Sequence, residues 1–257
     1  MRVTRPTPTL AVATRYGFVN AALVRDGEGT VTLVDAGLRG SAPALLDAAR
    51  ALSGAAAAGG RIARVALTHA HVDHVGSLDA LAAALPGVEV AIGAREARLL
   101  AGDMALLPAE ADRPLRGGFV PVTTRPTRLL ADGDRVGALR AVATPGHTPG
   151  HFAFFDERDG TLIAGDALQT AGAWGAGVVV AGVPAPGFPI SPFTTWDPTA
   201  ALASAERIAA LAPARLVTGH GAVLARPAAA LARAVERARR RLDGRRPATA
   251  GRGARAA

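Results

Sequence analysis

Apolar positions near the start of the chain fall in short runs divided by turn residues. Leu10 to Ala13, Phe18 to Leu23 and Val31 to Val34 predict three strands, the last two joined by a turn at Asp26-Gly27-Glu28-Gly29 and together making an antiparallel start. From Ser41 the spacing becomes helical: Ser41 can cap, Pro43 sits near the first turn, and Leu45, Leu46, Ala49 and Leu52 share a face until the Ala/Gly stretch from Ser53 to Gly60. Ile62 to Leu67 predicts a strand, and Gly76-Ser77 starts a helix through Leu81 and Leu85 that ends before Pro86-Gly87. Val88 to Ile92 predicts another strand and Ala94 to Leu100 a short helix. Ala101 to Pro126, interrupted by Pro108, Pro114, Gly117, Gly118 and Pro121, has no period, and a connection that long suggests a lid or pocket wall.

The second half echoes the first. Strands are predicted from Leu129, at Leu139 to Ala143, Phe152 to Phe155 and Thr161 to Ala164, with turns at Asp132-Gly133-Asp134 and Arg158-Asp159-Gly160. Leu168 to Pro192 carries many Gly and Pro residues and no clear period, and reads as a second pocket wall. Asp197 before Pro198 is a strong helix start, with the helix running to about Leu211. A strand at Leu216-Val217 follows, then an amphipathic helix opened by Pro227. Strands alternating with helices define an α/β chain. We expect a single domain over residues 1–241 and a frayed Arg/Gly-rich tail over 242–257.

Composition changes this picture in three ways. With 49% hydrophobic but only 4% aromatic residues, a sizeable core must be built from Ala, Val and Leu. Cysteine is absent, which removes disulfides, thiolate ligands and Cys nucleophiles together. The net charge of +8 lies at one end: from Arg226 onward ten arginines face only Glu236 and Asp243, so the first 225 residues are formally neutral. That segregation, without an aromatic platform, argues against a nucleic-acid partner. No apolar run reaches about 18 residues, so no membrane span is expected. The first residues lack the apolar core of a secretory signal, which makes the cytoplasm the expected compartment.

The chemistry is concentrated in the histidines. Thr68-His69-Ala70-His71-Val72-Asp73-His74-Val75-Gly76 places three imidazoles and a carboxylate directly after an apolar run. On extended backbone His69 and His71 project to one side, while Asp73 and His74 can turn toward a second point, a spacing better suited to two ions than to one. The other three histidines also follow strand-like runs: His147 and His151 in Thr144-Pro145-Gly146-His147-Thr148-Pro149-Gly150-His151, and His220 in Gly219-His220-Gly221. Asp166 ends a further run at Gly165.

This series resembles the metallo-β-lactamase-fold hydrolases over roughly residues 10 to 225, with Val34-Asp35-Ala36-Gly37 similar to the family's early strand-end Asp. The resemblance implies a four-layer αββα sandwich of two mixed sheets flanked by helices. It also implies one metal held by His69, His71 and His147, a second by Asp73, His74 and His220, and Asp166 bridging them. His151 and Asp35 are then supporting residues behind the ligands.

Nitrogen and oxygen ligands that leave open positions point to catalysis. Two such ions, zinc first with manganese or iron as alternatives, would bring a bridging water to a pKa of about 7 and furnish the nucleophile. Asp73 is the candidate general acid/base, because a carboxylate keeps a second oxygen after binding metal.

The family includes lactonases, glyoxalase II thioesterases, β-lactamases, nucleases and iron sulfur dioxygenases, so substrate must come from departures. β-Lactamases of this fold have Cys or Ser where Asp166 stands and often a gripping Lys, and this chain contains neither Cys nor Lys. Glyoxalase II enzymes continue into a helical substrate domain, for which little chain remains after His220. The pocket Tyr of quorum-quenching lactonases has no counterpart beyond Tyr16. The expected activity is hydrolysis of a small-molecule carboxylic ester, thioester or lactone, with Trp174 and Phe188 as candidate wall residues. A nucleic-acid phosphodiesterase, a β-lactam hydrolase and an iron sulfur dioxygenase are the alternatives, and a homodimer is compatible with the sequence.

Overall fold

The computed structural model describes residues 1–27, 29–53, 61–170, 177–183 and 191–244. The first half forms β1 (Arg2–Thr7), β2 (Leu10–Arg15), β3 (Val19–Arg25), β4 (Val31–Val34), α1 (Ala42–Ser53), β5 (Ile62–Ala66), α2 (Val72–Val75), α3 (Leu78–Ala84), β6 (Glu89–Gly93), α4 (Ala94–Leu100) and β7 (Arg128–Leu130). The second half forms β8 (Arg135–Val136), β9 (Leu139–Ala143), β10 (Phe152–Asp156), β11 (Thr161–Ile163), β12 (Leu168–Thr170), β13 (Val178–Val180), α5 (Ser191–Thr194), α6 (Pro198–Ala210), β14 (Arg215–Val217), β15 (Leu224–Ala225) and α7 (Ala228–Asp243).

Seven strands make one sheet in the order β1-β2-β3-β4-β5-β6-β7, and six make another in the order β15-β14-β11-β10-β9-β8. Both are mixed: β4, β5, β6 and β7 run parallel in the first, and β11 pairs parallel with β14 in the second.

Period-two alternation assembles the layers. Leu10, Val12, Ala22 and Val24 meet Leu139, Ala141, Phe152 and Phe154 of the other sheet in one apolar layer between the sheets. Their neighbours Ala11, Ala13, Ala21 and Leu23 face the opposite way, against Leu45, Ala49 and Leu52 of α1, Leu81 of α3 and Leu99 of α4. Likewise Val142 and Ala153 face Ala205 and Ile208 of α6 and Leu231 and Val235 of α7. The result is the expected αββα sandwich.

The structure departs from these expectations at the start of the chain and after Leu168. The start of the chain, where no strand is predicted ahead of Leu10, is the edge strand β1, paired Arg2 to Thr14 and Val3 to Ala13. Pro6 sits where the register shifts between Thr4 and Thr7, as an edge permits. The stretch from Leu168, read as an aperiodic wall, contains two strands, β12 and β13, paired antiparallel with Leu168 opposite Val180. Val178, Val179 and Val180 are all buried in the outer core, so both faces are apolar and no alternation marks the strand. Ser77 immediately precedes α3 as expected, and its hydroxyl, instead of bonding the helix's own N–H groups, donates to the Leu38 carbonyl at 2.6 Å and accepts the Ser41 N–H at 2.8 Å. At the other end of the chain α7 runs to Asp243. No described helix is long and apolar enough to cross a membrane.

Candidate metal centre

Strand ends from both sheets converge on one edge of the sandwich. β4 delivers Asp35, β5 the His69 to His74 loop, β9 the turn holding His147 and His151, β11 Asp166, and β14 His220. The two sheets are stitched together at this edge by Asn20 on β3. Its side-chain amide donates to the carbonyls of Thr218 at 2.9 Å and Gly221 at 2.8 Å, and its backbone N–H to Gly219 at 2.9 Å.

Three groups of donors result, each with ligand atoms within 4.8 Å of one another: His69, His71 and His147; Asp73, His74 and His220; and, between them, His69, His74 and Asp166. In the first group His71 Nδ1 lies 3.1 Å from His69 Nε2 and 3.0 Å from His147 Nε2. In the second His220 Nε2 lies 3.1 Å from Asp73 Oδ2. Asp166 spans both: Oδ2 is 3.1 Å from His220 Nε2 and 3.6 Å from His147 Nε2, and Oδ1 is 3.4 Å from His74 Nε2.

The opposite ring nitrogens hold the imidazoles in place. Asp35 Oδ2 is 2.8 Å from His74 Nδ1 and 2.9 Å from the Thr68 hydroxyl, which is itself 2.9 Å from His69 Nδ1. His71 Nε2 faces the Arg116 carbonyl at 2.8 Å. That carbonyl comes from the long loop after α4, and Gly117 there allows an approach that a Cβ would close to 2.2 Å of His71 Nε2. The loop therefore is a wall of the site, as its length suggested. At the other side a Cβ on Gly219 would lie 2.2 Å from Asp166 Oδ1, so the Gly before His220 is required by space.

His151 spends both nitrogens elsewhere: Nδ1 is 2.8 Å from the Thr144 hydroxyl, and Nε2 accepts the Asp166 backbone N–H at 3.2 Å. It positions Asp166 from behind. Asp35 is likewise behind the cluster and stands at φ 65, a left-handed conformation rare for a non-glycine and found where a site requires it.

Electrostatics divide the cluster in two. Burial, reinforced by neighbouring imidazoles, holds His69 well below its ordinary pKa. Burial also lowers His147 and His71, and takes His151 down to about 3. Burial opposes charge on His74 too, but Asp35, Asp166 and Asp73 hold it well above the ordinary value. His220 is lifted to about 10 by Asp166 and Asp73 against the same burial. For Asp73 burial would raise the pKa, yet His74 and His220 bring it to about 2, and Asp166 falls well below the usual carboxylate range through His220 and His74. One side is thus neutral nitrogen and the other carries the carboxylates.

The donors suit a divalent transition-metal ion: imidazole and carboxylate without thiolate. The buried atoms His74 Nε2 and Asp166 Oδ1, 3.4 Å apart, have no hydrogen-bond partner among the described residues, as befits groups that face a cation.

Aromatic residues also stand beside the site. Trp174 and Phe188 lie outside the described residues. Phe18, in the turn between β2 and β3, is 52% exposed and stacks on His220 with centroids 6.0 Å apart. Phe119 stands edge-on to His71 at 4.9 Å. Sequence reading assigned neither to the site, nor Thr68, Asn20 and Arg116. Only Thr68 had a signal, its place immediately before the histidine motif.

With this geometry in hand, comparison with known proteins is direct. The family model described as the metallo-beta-lactamase superfamily matches residues 14–220, and the chain belongs to that superfamily. The uncharacterized protein YobT of Bacillus subtilis (strain 168) is 42% identical over 223 residues, covering 86% of this chain and 91% of YobT. A hydroxyacylglutathione hydrolase of Fuscovulum blasticum is 33% identical over 68% of this chain, which spans about half (54%) of that relative. Among solved structures, TTHA1623 in a di-iron-bound form superposes with a TM-score of 0.59 at 30% identity, over 84% of this chain and 94% of that one.

Proposed function

We propose that this chain is a dinuclear metal-dependent hydrolase, zinc being the favoured ion, that cleaves a small-molecule carboxylic ester, thioester or lactone. The observation that carries the reading is Asp166, whose two oxygens face His74 on one side and His147 and His220 on the other. His69, His71 and His147 would hold one ion, Asp73, His74 and His220 the second, and Asp166 both. A carboxylate shared in this way offsets the repulsion of two cations held close together. When bound, such ions would supply Lewis acidity and a water-derived nucleophile at neutral pH.

The chain's own part is orientation and proton handling. Asp35 and Thr68 turn His74 and His69 so that each Nε2 faces the centre. Asp73 is the candidate proton carrier, because its side chain is 25% exposed whereas that of Asp166 is 6% exposed. Phe18 and Phe119 give the mouth an apolar rim beside His220 and His71, suited to the acyl part of a substrate. Among ester-like bonds the thioester has the support of the hydroxyacylglutathione hydrolase relative. Iron is the alternative ion, supported by the di-iron form of TTHA1623.

The test is elemental analysis of purified protein together with hydrolysis of an acylglutathione, an acyl lactone, an aryl ester and a β-lactam, before and after chelation. Two ions per chain and chelator-sensitive cleavage of one of the first three are expected. A metal-free protein that hydrolyses none of them would sink the reading.

A further inference from the structure

Glu96 in the first turn of α4 is fully buried, and each of its oxygens accepts one backbone N–H. Oε2 takes the N–H of Ala70, between His69 and His71, at 2.9 Å. Oε1 takes that of Gly150, in the turn that presents His147, also at 2.9 Å. The two loops leave different sheets, one after β5 and the other after β9. Across the gap between them His71 Nδ1 and His147 Nε2 come to 3.0 Å.

The packing around this carboxylate is close. A Cβ on Gly150 would lie 2.6 Å from Arg95 Cβ and 2.9 Å from Glu96 N, and one on Gly93 would lie 2.8 Å from the Gly150 carbonyl. The neighbouring cation, Arg95, pairs through Nε with Glu110 at 2.5 Å and acts on Glu96 only through its charge, which also favours the carboxylate. Burial drives the Glu96 carboxyl up to about 7, with the Thr148 hydroxyl and the two N–H groups pulling against it. An apolar side chain here would avoid that cost but would leave two buried N–H groups on two histidine loops without acceptors.

We propose that Glu96 is a positioning residue: a single carboxylate that sets the spacing between the His69–His71 loop and the His147 turn, and thereby the affinity of that three-histidine group for its ion. The inference rests on the metal-binding reading above. Glu96 touches neither the ion nor the substrate, and acts through the backbone that carries the ligands.

Glu96→Gln tests it, because it conserves volume and replaces one acceptor oxygen with a donor, so that only one of the two loops is held. The full-length variant and its parent are loaded with zinc, and metal per chain, affinity by chelator competition and the melting temperature of the metal-free form are measured. At least tenfold weaker binding of one ion is expected, with the other unaffected. In a His220→Ala background the change should weaken the one remaining ion at least tenfold, whereas added to His71→Ala it should alter the remaining ion's affinity by less than threefold.

A role confined to folding would lower the metal-free melting temperature and leave zinc affinity within threefold of the parent, and that result overturns the inference alone. A parent that binds no zinc overturns the metal reading and this inference with it. Should Glu96→Gln fail to fold, amide exchange in the metal-free parent decides. Slow exchange at both Ala70 and Gly150 upholds the clamp, and fast exchange at either overturns it.

Discussion

Asp35 Oδ2 lies 2.8 Å from His74 Nδ1, and the same carboxylate accepts the hydroxyl of Thr68, which in turn faces His69 Nδ1 at 2.9 Å. One side chain thereby orients an imidazole in each of the two terminal donor groups. Asp35→Asn keeps the shape and tolerates the left-handed backbone, but can present only one acceptor oxygen. Zinc affinity should fall about 10- to 100-fold, the usual effect of losing such a partner. Chelator competition at pH 7 measures it, and parent-like affinity for both ions would show that the orientation does not matter.

Loss of a terminal donor should be selective. His69→Ala, His71→Ala or His147→Ala should each remove one ion while the protein remains folded, and His74→Ala or His220→Ala the other. Unchanged metal in all five would refute the grouping.

Asp166→Ala should lower occupancy of both ions and remove most hydrolysis, whereas Asp166→Glu should keep metal at a reduced rate. Asp159, which accepts Arg215 at 3.3 Å and the Thr161 N–H at 3.0 Å away from the cluster, is the control. Steady-state kinetics check this. Activity of Asp166→Ala within about threefold of the parent, less than roughly 1 kcal/mol in the barrier, would mean that one ion suffices.

Phe18→Ala removes the ring stacked on His220 while leaving every proposed ligand in the sequence. KM for an acyl substrate should rise about fivefold, on the order of 1 kcal/mol of apolar burial, with kcat changed less than twofold. An equal KM across a series of acyl chain lengths would remove Phe18 from the substrate path.

Asp79 ties α3 to the end of the long loop, accepting the Thr124 hydroxyl at 2.6 Å and the N–H groups of Thr123 and Thr124. Burial opposes its charge slightly, but these bonds lower its pKa from the ordinary 3.8. A lowered carboxyl contributes its stability in full above the unfolded pKa and loses it as the pH falls below about 4. Asp79→Ala should therefore cost about 1 kcal/mol at pH 7 and progressively less below pH 4, as read by urea melts at both pH values. An equal loss at pH 7 and pH 3 would separate the effect from the charge.

Much of the fold was legible because burial on one face leaves a period. Leu10 and Val12 alternate with Ala11 and Ala13, and the helical spacing of Leu45, Ala49 and Leu52 is equally plain. Where both faces are buried the period vanishes, as at Val178 to Val180, and where a strand is an exposed edge its sequence is free to contain Pro6 and arginines.

The candidate donors stood out for a different reason: each is a His or Asp, and each follows a strand that ends at the same edge. Chemical identity and order along the chain are properties of the sequence alone. Which donors come together is a matter of distance between loops, and distances such as the 3.0 Å from His71 to His147 arise only when two sheets pack face to face. The same holds for the residues behind the donors. Thr68, Asn20, Arg116 and Glu96 act through a hydroxyl, an amide, a carbonyl and a carboxylate that occur throughout any chain, and only the packing of the two sheets and α4 decided which of them would stand behind an imidazole or hold its loop.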